Sequence, residues 1–199
     1  TGSSFMNMVT FVITSLAMGS TVIIGQHIGE KKSEEAGNAV GTTIVLFLLI
    51  GVLLTVLLEI FAGDIVSLLQ VPEESTEKAI LYIRICSGGI LVIIAYNVIS
   101  GILRGIGNAN LPFVFVGVAC IFNILGDLFF TGLLHMDVAG VALATVLAQL
   151  ISVIISAAVL RKQKMPISFS KKQCCIHARE LKLILKVGVT IAIQEAMVQ

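Results

Sequence analysis

The stretch Ile121–Thr131, IFNILGDLFFT, sets one carboxylate, Asp127, inside an apolar run that carries no other charge from Gly105 to Met136. Asn123 stands four residues earlier, about one helical turn, so on a helix the amide and the carboxylate share a face. A charged Asp at mid-helix in a membrane costs about 2.5–3.5 kcal/mol on insertion scales, and such a residue is by default a functional site. The competing reading is a structural Asp paired with a neighbouring helix. A helix that only packs has a cheaper choice in Asn or Ser.

The rest of the chain supports a membrane setting for this segment. Of its 199 residues, 57% are hydrophobic and 13% charged, with mean hydropathy +1.04. Soluble domains carry about 25% charged residues, so the composition describes an integral membrane protein. The net charge of +1 identifies no partner, because the informative signal is where the charges lie. Trp is absent, so an aromatic belt would have to come from Phe and Tyr. Cys86, Cys120, Cys174 and Cys175 form no CxxC pair and no metal-ligand spacing with His, and are read as free thiols. The chain opens at Thr1 in an uncharged apolar run without a basic leader and stops inside another at Gln199. Both ends look cut, and the expectation is a piece of a larger protein.

Five apolar spans follow in order, near 5–24, 39–58, 85–103, 111–134 and 138–160, each long enough for a hydrocarbon core of about 30 Å. Residues 1–160 therefore read as one transmembrane bundle, 161–186 as a basic linker and 187–199 as the start of a sixth span. The first connection, Gly25 to Gly41, contains His27, read as interfacial because no partner lies at helical spacing. Gly25/Gly29 and Gly37/Gly41 allow close helix approach. The second, Ala62–Lys78, is acidic, and Ser75 to Lys78 begins a helix led by acids. After GIGNAN, Gly105–Asn110, Asn110 is placed as the cap of the next helix and Pro112 in its first turn. Gly140, Ala144 and Ala148 make a small-residue packing ridge, with Thr145 and Gln149 beside it. His177 to Leu185 alternates basic and apolar groups and is expected on the membrane surface.

Eleven of the 13 Lys and Arg residues fall in the first, third and fifth connections. The positive-inside rule puts those connections, near 25–38, 104–110 and 161–186, in the cytoplasm. Spans three to five are joined by short loops and should be neighbours. They collect Asn97, Asn123, Asp127, Thr145 and Gln149, with Asn97 nearer the cytoplasm than Asp127 or Thr145. This oxygen-rich set suits a proton or Na⁺ and not a soft transition metal. The first function class is therefore a cation-coupled secondary transporter with Asp127 as the ion carrier. An intramembrane aspartyl protease needs two facing carboxylates, one in a Gly-x-Gly-Asp turn, and the sequence before Asp127 is Ile124-Leu125-Gly126. No HExxH, GxSxG or Walker loop is present, so neither enzyme nor ATPase is expected. A lipid-linked flippase without ion coupling would expect cations inside the spans, which carry none.

Five motifs in order resemble the multidrug and toxic compound extrusion (MATE) transporters, in particular the DinF-like prokaryotic branch. LRGIGNANLPF, Leu103–Phe113, resembles the LRGxGDxxxP signature, and NILGD, Asn123–Asp127, the NIxLD motif of the fifth helix. VAGVALATVLAQ, Val138–Gln149, resembles the VxGAAxAT run of the sixth. GQHIGEKK, Gly25–Lys32, is similar to AQxxGAK after the second, and KVGVTIAIQE, Lys186–Glu195, to the start of the seventh. Asn108 stands where the family usually has Asp, and Thr190 where it has Pro.

The resemblance implies helices two to seven of a twelve-helix protein: an all-α polytopic bundle forming most of one six-helix lobe. It also implies an antiporter that exports organic, cationic compounds across the plasma membrane against H⁺ or Na⁺, with no other cofactor and no nucleic-acid partner. Carried over by motif, the coupling site is Asp127, Asn123, Thr145 and Asn97, with any Na⁺ at Asp127. Its second acidic member belongs to the family's first helix, which this chain lacks. Gln149, Gln194 and Glu195 are the substrate-cavity candidates.

Overall fold

The computed structural model describes residues 2–68, 72–162 and 173–198, and among these all regular structure is helical. The helices are α1 (Gly2–Gly29), α2 (Ser33–Leu68), α3 (Glu73–Gly105), α4 (Asn110–Asp127), α5 (Asp137–Lys162) and α6 (Ala178–Val198). α4 runs directly into a π-helical turn, Leu128–Leu133. The first five are long and apolar enough to cross a membrane, over Asn7–Gly29, Ser33–Leu68, Ser75–Gly105, Asn110–Leu133 and Val138–Leu160. The fold is an all-α, multi-pass membrane bundle, as the composition requires.

α3 is the central helix, packed on α1, α2 and α5, while α4 leans on α5 and α6 on α1. Ile13 and Ala17 of α1, Phe47 of α2, Ile90 and Ile94 of α3 and Ile184 of α6 share one buried cluster. The outside is no less apolar: Leu53, Phe113, Ile121 and Ile154 are each more than half exposed. Small hydroxyls lie inside instead, where Ser152 donates to the Phe115 carbonyl at 3.1 Å and Thr21 to the Gly101 carbonyl at 3.1 Å. Helices in lipid have no hydrophobic drive between them and associate through such bonds and close backbone approach. A Cβ on Gly19 would stand 2.7 Å from the Gly188 nitrogen, so α1 and α6 touch backbone to backbone. The expected ridge is in place, with Gly126 of α4 against Ala144, where a Cβ would meet the alanine methyl at 3.0 Å.

Each short connection turns on one left-handed residue: Lys31 (φ 59°), Gly107 (φ 91°) and His135 (φ 51°). The first two lie at the end of the bundle where α1, α3 and α5 finish and α6 begins, called here the Lys31 end. The opposite is the His135 end.

Several expectations from the sequence are corrected. α2 does not stop near residue 58 but continues to Leu68, giving 36 residues and about 54 Å. Ala62 and Val66 pack on Ile83 of α3, so the α2–α3 hairpin stays closed beyond the apolar span. Asn108 rather than Asn110 serves the start of α4, its Oδ1 accepting from the Leu111 amide at 3.4 Å. His177 to Leu185 is not a separate surface helix, because Ala178 begins α6, which continues unbroken through residue 187. The basic linker thus shortens to the segment before Ala178, and its residues 163–172 lie outside those described. The four cysteines are free thiols, as read.

Candidate ion and substrate site

Asn123 and Thr145 are brought together: the Asn123 amide donates to Thr145 Oγ1 at 3.3 Å, bridging α4 and α5. Thr145 in turn donates to the Val141 carbonyl one turn back at 3.0 Å. The approach is set by the small residues beneath, since Gly126 rests on Ala144 beside Thr145. Asp127 follows Asn123 by one turn on the same face. Its Oδ1 is buried and has no hydrogen-bond partner among the described residues. Directly after Asp127 the helix widens into its π-turn, and the Thr131 hydroxyl donates to the Asp127 carbonyl. Single π-turns interrupt α-helices mostly at functional positions, because they re-aim the side chains on either side.

Beside the Asn123–Thr145 bond is a cavity of about 230 Å³, lined by these two residues, Gln149, Cys120, Tyr96 and Val116 among others. Gln149 Oε1 is buried there and unpartnered among the described residues. Asn97 is not part of this group. Its Nδ2 donates to the Ile93 carbonyl at 2.8 Å and its Oδ1 accepts from Thr14 of α1 at 3.4 Å. It lines a second cavity, of about 270 Å³, nearer the Lys31 end, together with Thr14, Ser100, Arg104 and Phe113. Tyr96 and Val116 border both cavities, and the Tyr96 hydroxyl is held by the Pro112 carbonyl at 3.3 Å. Gln194 on α6 is exposed, and the side chain of Glu195 lies outside the described set.

One cluster escaped the sequence reading. His27 is buried inside α1, not interfacial, with Nε2 2.9 Å from Glu180 of α6 and Nδ1 3.4 Å from Glu35 of α2. The Glu35 contact is an ion-pair distance without hydrogen-bond alignment, since neither atom has a hydrogen-bond partner. Glu180 is the lone acid in the basic stretch from Arg161 to Lys186, and that was the available signal. Its partner 153 positions away was beyond any local spacing rule.

Membrane-crossing helices that enclose cavities, with a carboxylate oxygen buried and unpartnered among the described residues, describe a multi-pass membrane protein. The family model described as MatE matches residues 1–129, and the chain belongs to that family, whose members are transporters and not enzymes. The probable multidrug resistance protein YoeA of Bacillus subtilis is 30% identical over 201 residues, covering 98% of this chain and 43% of the relative. An inward-facing structure of a multidrug resistance MATE family transporter of the MOP superfamily is 28% identical, with a TM-score of 0.87 over 92% of this chain and 42% of that one. An outward-facing structure of a transporter so described, also 28% identical, gives 0.85 over 96% and 42%. The chain spans less than half the length of these relatives.

Proposed function

We propose that this chain is the ion-coupling lobe of an antiporter that exports organic, cationic compounds across the plasma membrane against entry of H⁺ or Na⁺. The observation that carries the reading is the buried Asp127 oxygen without a partner, one turn from the Asn123–Thr145 bond. A carboxylate oxygen withdrawn from water and left open is stabilised by whatever cation reaches it, and carboxylate, amide and hydroxyl oxygens are the ligands that suit a hard ion. Binding of H⁺ or Na⁺ there neutralises α4 and changes the field across its contact with α5. Asn123 and Thr145 are the first neighbours able to supply oxygens. Asn97, read from the family motif as a fourth member, stands in the adjoining cavity and would act on ligand rather than ion. Gln149 offers a substrate an acceptor unpaired among the described residues, and Gln194 and Glu195 remain substrate candidates from the family motif alone.

Likeness to both an inward-facing and an outward-facing relative supports a lobe that keeps its internal packing while access alternates around it. The proposal places the Lys31 end in the cytoplasm, by the positive-inside rule, and uses no cofactor beyond the coupling ion. The test is ion-driven export of a cationic dye, ethidium, from proteoliposomes holding the complete transporter. Asp127→Asn keeps the shape and removes the titratable charge, so export should fall at least tenfold; export at the unsubstituted rate overturns the reading.

A further inference from the structure

The cavity nearer the Lys31 end differs in chemistry from its neighbour. Asn97, Ser100 and Arg104 of α3 are spaced three and four residues apart, so one helix face presents an amide, a hydroxyl and a guanidinium in a row. All three line the cavity of about 270 Å³, and no carboxylate is among its lining side chains. Arg104 makes no ion pair among the described residues, where the pairs involve His27 and Lys32. Ser100 is 2% exposed, and its hydroxyl has no hydrogen-bond partner among the described residues. Asn97 uses one of its two amide protons on Ile93 and keeps the other. A fixed cation, a buried free hydroxyl and a spare N–H converge on a space bounded on its other side by Pro112, Phe113 and Val116.

We infer that this cavity binds the carboxylate or phosphate head of an amphipathic molecule, with Arg104 as the charge partner, Ser100 and Asn97 as donors, and the apolar wall taking the start of the tail. Arg104, with no carboxylate beside it in the lining, disfavours a cationic head. Drug-sized ligands occupy about 300–1,000 Å³. Each cavity is smaller than that, so a larger ligand occupies both through the shared Tyr96–Val116 border. Its acidic end then lies at Arg104 and its basic end toward Gln149 and Asp127. This extends the exporter reading by giving the substrate a second, acidic end. The binding itself is an equilibrium property and needs no coupling at Asp127.

The experiment measures fluorescence binding of dansyl-undecanoic acid to the purified chain in neutral maltoside micelles, beside its methyl ester and the matching amine. The acid should bind at least tenfold more tightly than either. Arg104→Gln should remove that preference, Arg104→Lys should retain most of it, and Ser100→Ala should weaken the acid about threefold. Lys32→Gln, in the exposed turn after α1, should leave the acid's affinity unchanged, and because the readout is equilibrium binding without export or an ion gradient, its outcome is separate from the coupling reading. Competition by phosphatidylglycerol but not phosphatidylcholine would identify the head as a lipid phosphate; no competition by either would identify it as a free carboxylate. Equal binding of acid, ester and amine overturns the inference. If Arg104→Gln does not fold, undiminished acid binding by the Ser100→Ala, Arg104→Lys double variant overturns it as well.

Discussion

Asp127 and Glu180 both hide carboxylate oxygen from water, Asp127 in part and Glu180 wholly, and their surroundings differ in kind. Glu180, 4% exposed at the Lys31 end, meets His27 at 2.9 Å, and the other nitrogen of that ring faces Glu35. Both ring nitrogens look onto carboxylate oxygens, Nε2 at hydrogen-bond distance from Glu180 and Nδ1 facing Glu35 without hydrogen-bond alignment. Asp127, toward the other half of the bundle, has a buried oxygen that nothing meets. A carboxylate matched within the protein fastens helices, here α6 to α1 and α2. On the proposed reading, one left unmatched is open to an ion, and α4, which carries it, buries only Pro112, Phe115 and Ala119. Burial alone therefore does not separate the two acids; the satisfaction of their oxygens does.

The largest effect expected from this contrast comes from Glu180→Ala. Removing one member of a buried pair typically destabilises by about 3–5 kcal/mol, because the other charge is left uncompensated. Hydrogen exchange of the α6 amides should accelerate accordingly, while α4 and α5 stay protected. Changing His27 and Glu180 together to Leu should recover much of the loss, since apolar groups of similar volume replace buried pairs well.

A smaller effect of opposite sign is expected at Asp127. Asp127→Asn removes an unsatisfied buried charge and should raise stability against denaturant by about 1 kcal/mol, the lower range for leaving such a group unpaired. Destabilisation of the size seen at Glu180 would erase the distinction between the two carboxylates.

The smallest effect belongs to the fully exposed pair Glu30–Lys32, 2.7 Å apart in the turn after α1. The Lys32 ammonium, through its hydrogen bond and charge, holds the Glu30 carboxyl below its usual range, and Glu30 raises Lys32 in return. A depressed carboxyl contributes stability at pH above its unfolded value and loses it as pH falls through the folded one. In water this contribution is screened. Lys32→Gln should return the Glu30 titration, followed by NMR, upward to the ordinary carboxylate range without a detectable change in the unfolding midpoint.

Much of the architecture was legible because its causes are local. Apolar run lengths gave the five crossing helices, and four-residue spacings gave the Gly140–Ala144–Ala148 ridge and the shared face of Asn123 and Asp127. The Asn123–Thr145 meeting also follows from adjacency, since a short turn joins α4 to α5. What was not legible depends on pairing at long range or on helix continuity. α2 runs past its apolar span because Ile83 of the next helix covers Ala62 and Val66. His27 looked like a loop residue because Glu35 and Glu180 reach it from two other helices. Asn97 was assigned to the Asp127 group by motif, yet the rotation of α3 turns it toward Thr14 of α1, in the cavity that Arg104 closes.

The contrast between the two carboxylates is tested most directly by ¹³C-carboxyl NMR of the chain in lipid nanodiscs, titrated separately with protons and with NaCl. The account predicts that the Asp127 resonance shifts saturably with at least one of the two cations, and that Glu180, already met by His27, does not bind Na⁺ saturably. An Asp127 resonance indifferent to both ions, with Glu180 moving instead, would contradict it.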